Sequence, residues 1–400
     1  MKILHTGDWH LGKNLDGYSR IEEQEMFLND FVKIVKENEV DLVIIAGDVY
    51  DSSNPPARAE QLLYKSLKEI TEGGKRLVLI IAGNHDNYER ITSASPLAKS
   101  HGIIMVGTPK TIVETGEYGN HKIINSGEGF IEIEINNEKS VILTVPYPSE
   151  KRLNEVLYGD MDTEDMKLKS YSDRIHDLFY TLSKNFRDDT INLITSHLFV
   201  FKSEEGGSER SIQLGGSFIV NSTCFPKDAD YIALGHVHKP QVVPGTNGIA
   251  RYSGSPLHYN KREINFDKKC FLVDIKKGTE TKITDIALKV YKPIEIWYCD
   301  SIEDAINKCD ENKDKNSFVY IEVVTDRYIR EDEIKIMRSL KKDIIEINPK
   351  IIGLNHIEDE VDISDKSFEE LFKSFYEKER DTKPNENIVN LILSIIDEEY

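Results

Sequence analysis

Residues 77–90 read LVLIIAGNHDNYER, an apolar run that ends, after one glycine, in an amide, an imidazole and a carboxylate. Leu77 to Ile81 and Ala82 show no polar alternation, the pattern of a strand buried on both faces. Gly83 breaks the run, and Asn84, His85 and Asp86 follow without a gap. A buried strand with polar groups only at its end delivers those groups to one point.

Four other runs end in the same way. MKILHTGDWH (1–10) ends at Asp8 and His10, and DLVIIAGDVYD (41–51) at Asp48 and Asp51. INLITSHLF (191–199) reaches His197, and YIALGHVHKP (231–240) reaches His236 and His238. Between the first strands lie two helical stretches. One carries Phe27, Phe31, Ile34 and Val35 at helical spacing; the other carries Leu62, Leu63, Leu67 and Ile70 and stops at Gly73-Gly74. Buried strands alternating with crossover helices predict an α/β fold with a parallel sheet. In such sheets the working site lies beyond the carboxyl ends of the strands, where all five runs place their polar groups.

Farther along, FIEIEI (130–135) and VILTVPYP (141–148), with Asn136-Asn137 between them, predict a hairpin added to the sheet. Residues 150–187 are polar and helical in pattern. From about 290 a second unit begins, with strands at PIEIWYC, SFVYIEVVTD and KIIGLNHI (350–357) separated by helices at IEDAINKC and EDEIKIMRSL. An acidic linker, EDEVDISDKS (358–367), leads to two amphipathic helices. Phe368, Leu371, Phe372, Phe375 and Tyr376 share a face of the first; Ile388, Leu391, Ile392, Ile395 and Ile396 share a face of the second.

The formal net charge of −19 argues against a wholly basic nucleic-acid surface. Residues 341–400 hold a large share of that excess, and metal ligands are themselves acidic, so a bound cation reverses the local sign. Cys224, Cys270, Cys299 and Cys309 form no paired spacing, which suits a reducing cytoplasm. The N-terminus lacks the pattern of a signal peptide, and no apolar stretch is long enough to span a bilayer, so no membrane role is expected.

Imidazoles and carboxylates with one amide oxygen, and no thiolate, suit divalent transition metals. Asp8, His10, Asp48, Asn84, His197, His236 and His238 are more ligands than one ion needs. Two close ions fit better, and Asp48, at the end of the central run, is the natural bridge. Such a pair holds a phosphate and activates water, which predicts phosphate-ester hydrolysis. His85, beside a ligand and preceded by Asp51, is the candidate proton-handling residue. Tyr88, Arg90, Arg210, Arg251 and His258, with Arg58, Lys202, Lys239, Lys261 and Arg262, lie in or near the strand-end loops as candidate DNA contacts. The ligand set also suits a phosphodiesterase or phosphatase acting on small molecules or phosphoproteins.

HTGDWHLG, AGDVYDSSNPP, IAGNHD, SERSIQLGG, YIALGHVHKPQ and RYSGSPL together resemble the calcineurin-like metallophosphoesterases, and more narrowly the SbcD family of nuclease subunits. The resemblance covers most of residues 1–275 and extends to the C-terminal helices. It implies a two-sheet sandwich flanked by helices over residues 1–285, a smaller α/β capping domain over 286–356, and a linker with partner-binding helices over 357–400. It implies that Asp8, His10, Asp48 and His238 hold one ion, and that Asp48, Asn84, His197 and His236 hold the other. His85 would assist the leaving group, with Asp51 orienting it. Manganese is the implied metal, with magnesium, iron or zinc as alternatives. The implied activity is cleavage of DNA ends, hairpins and single strands in repair, recombination and replication. Cutting of duplex ends would depend on ATP turned over by an SbcC-type coiled-coil ATPase, with a homodimer inside a heterotetramer. Phe368, Leu371, Phe372, Phe375, Ile388, Leu391, Ile392 and Ile395 would meet that partner.

Overall fold

The computed structural model describes residues 1–153, 164–209 and 219–352, with positions 372–373, 375–376, 384–385 and 388–389. Two sheets lie face to face. The six-stranded sheet has the order Lys282–Ala287, Lys269–Asp274, Lys2–Thr6, Leu42–Ile45, Leu77–Ile81, Ile103–Val106. Its last four strands are parallel, and antiparallel partners close the other edge. The eight-stranded sheet contains a parallel centre of Glu138–Val145, Ile191–His197, Tyr231–Gly235 and Ala250–Tyr252.

Side chains alternate across each strand. Ile44 and Leu79 enter the layer between the sheets, where they meet Ile133, Ile142 and Leu193. Val43, Ile45, Val78 and Ile80 face outward, against Phe27 and Phe31 of helix Ile21–Glu37 and Leu62 and Leu67 of helix Ala57–Thr71. The outer face of the second sheet packs through Leu143, Ile194 and Ile232 on Tyr171, Ile175 and Phe179 of helix Glu164–Leu182. The result is helix, sheet, sheet, helix. Every residue of Leu77–Ile81 is buried, which is why that stretch lacks polar alternation. Burial contributes roughly 1.5–3 kcal/mol per large aliphatic side chain.

The hairpin Phe130–Ile135 and Glu138–Val145 forms, with Asn136 and Asn137 both at positive φ (51° and 66°), as a tight two-residue turn requires. It joins the second sheet, not the sheet of Leu77–Ile81. Glu138–Val145 pairs in parallel with Ile191–His197, which turns Ile131 and Ile133 into the central layer.

A three-stranded parallel sheet follows, in the order Ile294–Cys299, Phe318–Thr325, Ile344–Ile351. The third strand begins earlier than the expected 350–357. IIEINPKI reads poorly as a strand because it lies at the sheet edge, half exposed, where Pro349 is tolerated. Helices Ile302–Glu311 and Glu331–Leu340 cover one face through a core containing Trp297, Ile321 and Met337. The other face rests on the larger unit, where Ile294, Phe318 and Tyr320 meet Leu15, Tyr18 and Ile264. The expected boundary at residue 285 falls inside the strand Lys282–Ala287.

Candidate metal centre

Five strand ends meet where the two sheets' parallel strands finish. Asp8 and His10 follow Lys2–Thr6, Asp48 follows Leu42–Ile45, and Asn84 and His85 follow Leu77–Ile81. His197 closes Ile191–His197, and His236 and His238 follow Tyr231–Gly235. Asp8, His10, Asp48 and His236 all have positive φ, at 51°, 45°, 47° and 100°. Non-glycine residues hold that conformation only where the surroundings enforce it. Glycine is required at Gly83, where a Cβ would overlap the Asp48 carboxylate, and at Gly235, where it would overlap the Ala46 carbonyl.

Backbone and side-chain bonds lock the loops together. Asp8 N–H donates to Gly47 O (3.0 Å) and His10 N–H to Asp48 O (2.9 Å). His85 N–H donates to Asp48 Oδ1 and His236 N–H to Asp8 Oδ1, both at 2.9 Å. Asp86 accepts from the amides of Val49, Tyr50 and Gly83 at 3.1, 2.9 and 2.9 Å. Arg152 spans the other side of that loop, donating to Gly83 O and Asp86 O at 2.8 Å each.

The side chains then form two clusters about one oxygen. In the first, His10 Nε2 faces His238 Nε2 at 2.9 Å, with Asp8 close enough to share a cation with both. In the second, Asn84 Oδ1 lies 2.9 Å from His197 Nε2 and 3.1 Å from His236 Nδ1. Asp48 Oδ2 stands between them, 3.6 Å from His10 Nε2 and 3.4 Å from His197 Nε2. Tautomers sharpen the picture. His197 Nδ1 bonds to Ala46 O at 2.9 Å, and a carbonyl only accepts, so Nδ1 carries a proton. Its Nε2 then points a lone pair, in the neutral ring, at two oxygens that are themselves acceptors. Asp8 Oδ2 is buried with no hydrogen-bond partner. A buried cluster with this surplus of acceptors fits cations.

Burial and neighbouring charge act in opposite directions across the two clusters. Burial holds the imidazoles of His10 and His236 at about 3, so both are neutral donors at ordinary pH. Burial pushes the Asp8 carboxyl up to about 6. Burial also opposes a charged His197, but the Asp48 and Asp8 carboxylates outweigh it and raise that ring to about 9.

His85 is buried beside the first cluster, its ring 4.6 Å from that of His10. Its Nδ1 bonds to the main-chain carbonyl of Asp51 at 2.7 Å, which places the proton on Nδ1 and turns Nε2 toward Asp48 Oδ2, 3.9 Å away. The Asp51 carboxylate is engaged elsewhere, bonded to Lys13 Nζ at 2.7 Å and 3.4 Å from His10 Nδ1. Asp51 thus meets His85 through its backbone carbonyl, with its carboxylate Oδ1 3.9 Å from the same nitrogen.

The candidate DNA contacts fare differently. Tyr88 opens the helix Tyr88–Thr92, capped by Asn87, with its ring beside Arg152. Arg90 is paired with Glu60 at 2.9 Å and bonded to Asn54. Arg251 and His258 are engaged within the protein. The Arg251 guanidinium lies over Phe271, between the sheets, and His258 Nε2 bonds to Phe266 O within its own loop. Both serve packing. Arg210, Phe368, Leu371, Leu391, Ile392 and Ile395 lie outside the described residues. Phe375 is exposed, Phe372 has its ring 5.9 Å from that of Tyr376, and Ile388 is half-buried.

Sequence reasoning missed Asp86 as a loop anchor, Arg152, and the group behind His238 formed by Ser208, Glu263 and Lys268. Asp86 had a signal in its place in GNHD, and Ser208 in its place at the head of SERSIQLGG.

The calcineurin-like phosphoesterase family matches residues 1–240. The family described as type 5 capsule protein repressor C-terminal domain matches residues 290–380. The D subunit of nuclease SbcCD from Bacillus subtilis (strain 168) is 37% identical over 399 residues, covering 99% of this chain and 97% of its own. The D subunit of nuclease SbcCD from Staphylococcus epidermidis (strain ATCC 12228 / FDA PCI 1200) is 25% identical over 403 residues, covering all of both chains. The chain belongs to the calcineurin-like phosphoesterases and, within them, to the SbcD family of SbcCD nuclease subunits.

Proposed function

We propose that this chain is the metal-dependent nuclease subunit of an SbcCD-type complex, hydrolysing DNA phosphodiester bonds at a two-ion centre. Asp8, His10, Asp48 and His238 hold one ion, and Asp48, Asn84, His197 and His236 hold the other, with manganese as the working metal. The observation that carries this reading is Asp48 Oδ2 standing within 3.6 Å of imidazole nitrogens from both clusters. Such a pair of ions supplies charge to hold the phosphate and a nucleophile at neutral pH.

The chain's own residues do the rest. In its cationic form His85 delivers a proton from Nε2 to the leaving oxygen, and the Asp51 carbonyl, accepting from Nδ1, favours that form and fixes the ring. Tyr147 lies against His236, with the rings at 6.3 Å and an interplanar angle of 23°, and walls one side of the centre. The Ile294–Ile351 unit, seated on Leu15, Tyr18 and Ile264, is a capping domain that selects for a polymeric strand. The C-terminal helices carry the subunit to a coiled-coil ATPase, whose ATP turnover drives cutting of duplex ends, and two such subunits pair in a heterotetramer. The described cysteines are all unpaired and buried, consistent with a cytoplasmic setting. No helix among the described residues is long and apolar enough to cross a membrane.

The test is purified chain with manganese, given linear duplex, hairpin and single-stranded DNA beside a chromogenic phosphodiester. Cutting of DNA supports the nuclease reading. Turnover of the small ester alone would replace it with a small-substrate phosphodiesterase.

A further inference from the structure

A buried carboxylate stands behind His238. Glu263 is fully buried, and its Oε1 lies 3.3 Å from His238 Nδ1, the nitrogen opposite the one that faces His10. Ser208 Oγ bonds to both, at 2.6 Å from His238 Nδ1. Glu263 Oε2 accepts from Lys268 Nζ at 2.6 Å, and Lys268 also donates to Ser255 Oγ and to the His238 carbonyl at 2.7 and 3.1 Å. The ammonium balances the carboxylate, so the pair is stable in a dry interior only as a unit. A carboxylate on the far nitrogen of a ligating imidazole fixes its tautomer and orientation.

Glu263 does not sit in the sandwich core. It is carried by the single-turn helix Lys261–Asn265, which lies between the metal loops and the three-stranded unit. The adjacent residue, Ile264, packs into the cluster with Ile294, Phe318 and Tyr320 of that unit. Lys261 Nζ lies over the Tyr320 ring at 5.0 Å and 3.6 Å from Glu346. One short turn therefore touches the metal loop with one residue and the capping unit with its neighbours.

We propose that Glu263 is the positioning residue of His238, and that the seating of the Ile294–Ile351 unit on the Lys261–Asn265 turn sets where Glu263 stands. Docking of that unit and occupancy of the His10/His238 ion site are then one coupled equilibrium. The proposal rests on the two-ion reading of the centre. Coupling of this kind is reciprocal: what loosens the unit weakens that ion, and what removes the ion loosens the unit.

The test is titration of the full chain with manganese, following free ion by electron paramagnetic resonance, for wild type, Glu263→Gln and Ile264→Asp. Glu263→Gln should weaken one of two ions by about 10–100-fold and leave the other near its wild-type affinity. Ile264→Asp changes none of the side chains bonded to His238 but places a charge in the apolar seat, and it should weaken the same ion several-fold. It also keeps the test open if Glu263→Gln fails to fold. Wild-type affinities for both ions in either folded variant, or equal weakening of both ions, overturn the proposal. A wild-type chain that binds no manganese would instead overturn the two-ion reading beneath it.

Discussion

The Nε2 atoms of His10 and His238 lie 2.9 Å apart, although 228 positions separate the two residues in the chain. Each arrives from a different sheet, just beyond a strand that is buried except at Lys2. Two imidazole nitrogens at that distance need a proton or a cation between them. The Asp8 carboxylate lies close enough to share a cation with both rings, and its buried, unpartnered Oδ2 favours the metal ion.

Asp48 Oδ2 stands between the two clusters, 3.6 Å from His10 Nε2 and 3.4 Å from His197 Nε2. Asp48→Ala should reduce the manganese retained after gel filtration from about two ions per chain to less than one, read by elemental analysis. Retention of both ions would remove Asp48 from the bridging position.

His85 contacts the centre without completing either cluster. His85→Gln should keep manganese and DNA binding within a few-fold of wild type while cleavage slows by about 10²–10⁴-fold. Single-turnover cleavage beside a DNA-binding titration separates the two, and a wild-type rate would take His85 out of proton transfer.

Asp86 accepts three loop amides from inside the protein. An amide side chain at that position turns a donor toward at least one of them. Asp86→Asn should lower the stability of the metal-free protein by about 2–3 kcal/mol in urea unfolding, since hydrogen bonds to charged groups are the strong ones.

His5 is buried between the sheets, its Nδ1 at 2.9 Å from the Tyr231 hydroxyl and its Nε2 at 3.2 Å from Leu234 O. Burial holds its pKa at about 3, against an ordinary 6.5. As pH falls, the unfolded chain takes up the proton first, so His5's contribution is intact above about 6.5 and is lost progressively down to about 3. The loss is at most roughly 1.4 kcal/mol per pH unit. His5→Gln preserves both hydrogen bonds without titrating. In a metal chelator its urea midpoint should fall less than wild type's between about pH 7.5 and 5.5; equal falls would show that His5 is not the group responsible.

The C-terminal stretch carries the proposed partner surface. Deleting residues 361–400 should spare manganese-dependent nicking of single strands and abolish co-purification with a coiled-coil ATPase. Co-purification that survives the deletion would move the partner surface elsewhere.

The gathering of strand ends was legible because most of these side chains follow an abrupt change from a buried strand to polar residues, a local signal that needs no knowledge of the fold; His197, inside its own strand, is the exception. Asn84 and His85 after Leu77–Ile81 illustrate it. Placement in a sheet was less legible, since Glu138–Val145 is apolar enough for either sheet and is assigned by its pairing with Ile191–His197. Charged residues were the least legible. Arg90 is taken by Glu60 and Arg251 by Phe271, partners 30 residues distant in one case and on the other sheet in the second. Glu263 and Lys268 belong to no motif, and only the packing of the His238 loop against the short turn gives them a role.

The most direct measurement is anomalous diffraction at the manganese edge from crystals of this chain grown with the ion. The expected result is two peaks about 3.5–4 Å apart with the Asp48 carboxylate between them. A single peak, or peaks away from Asp48, would contradict it.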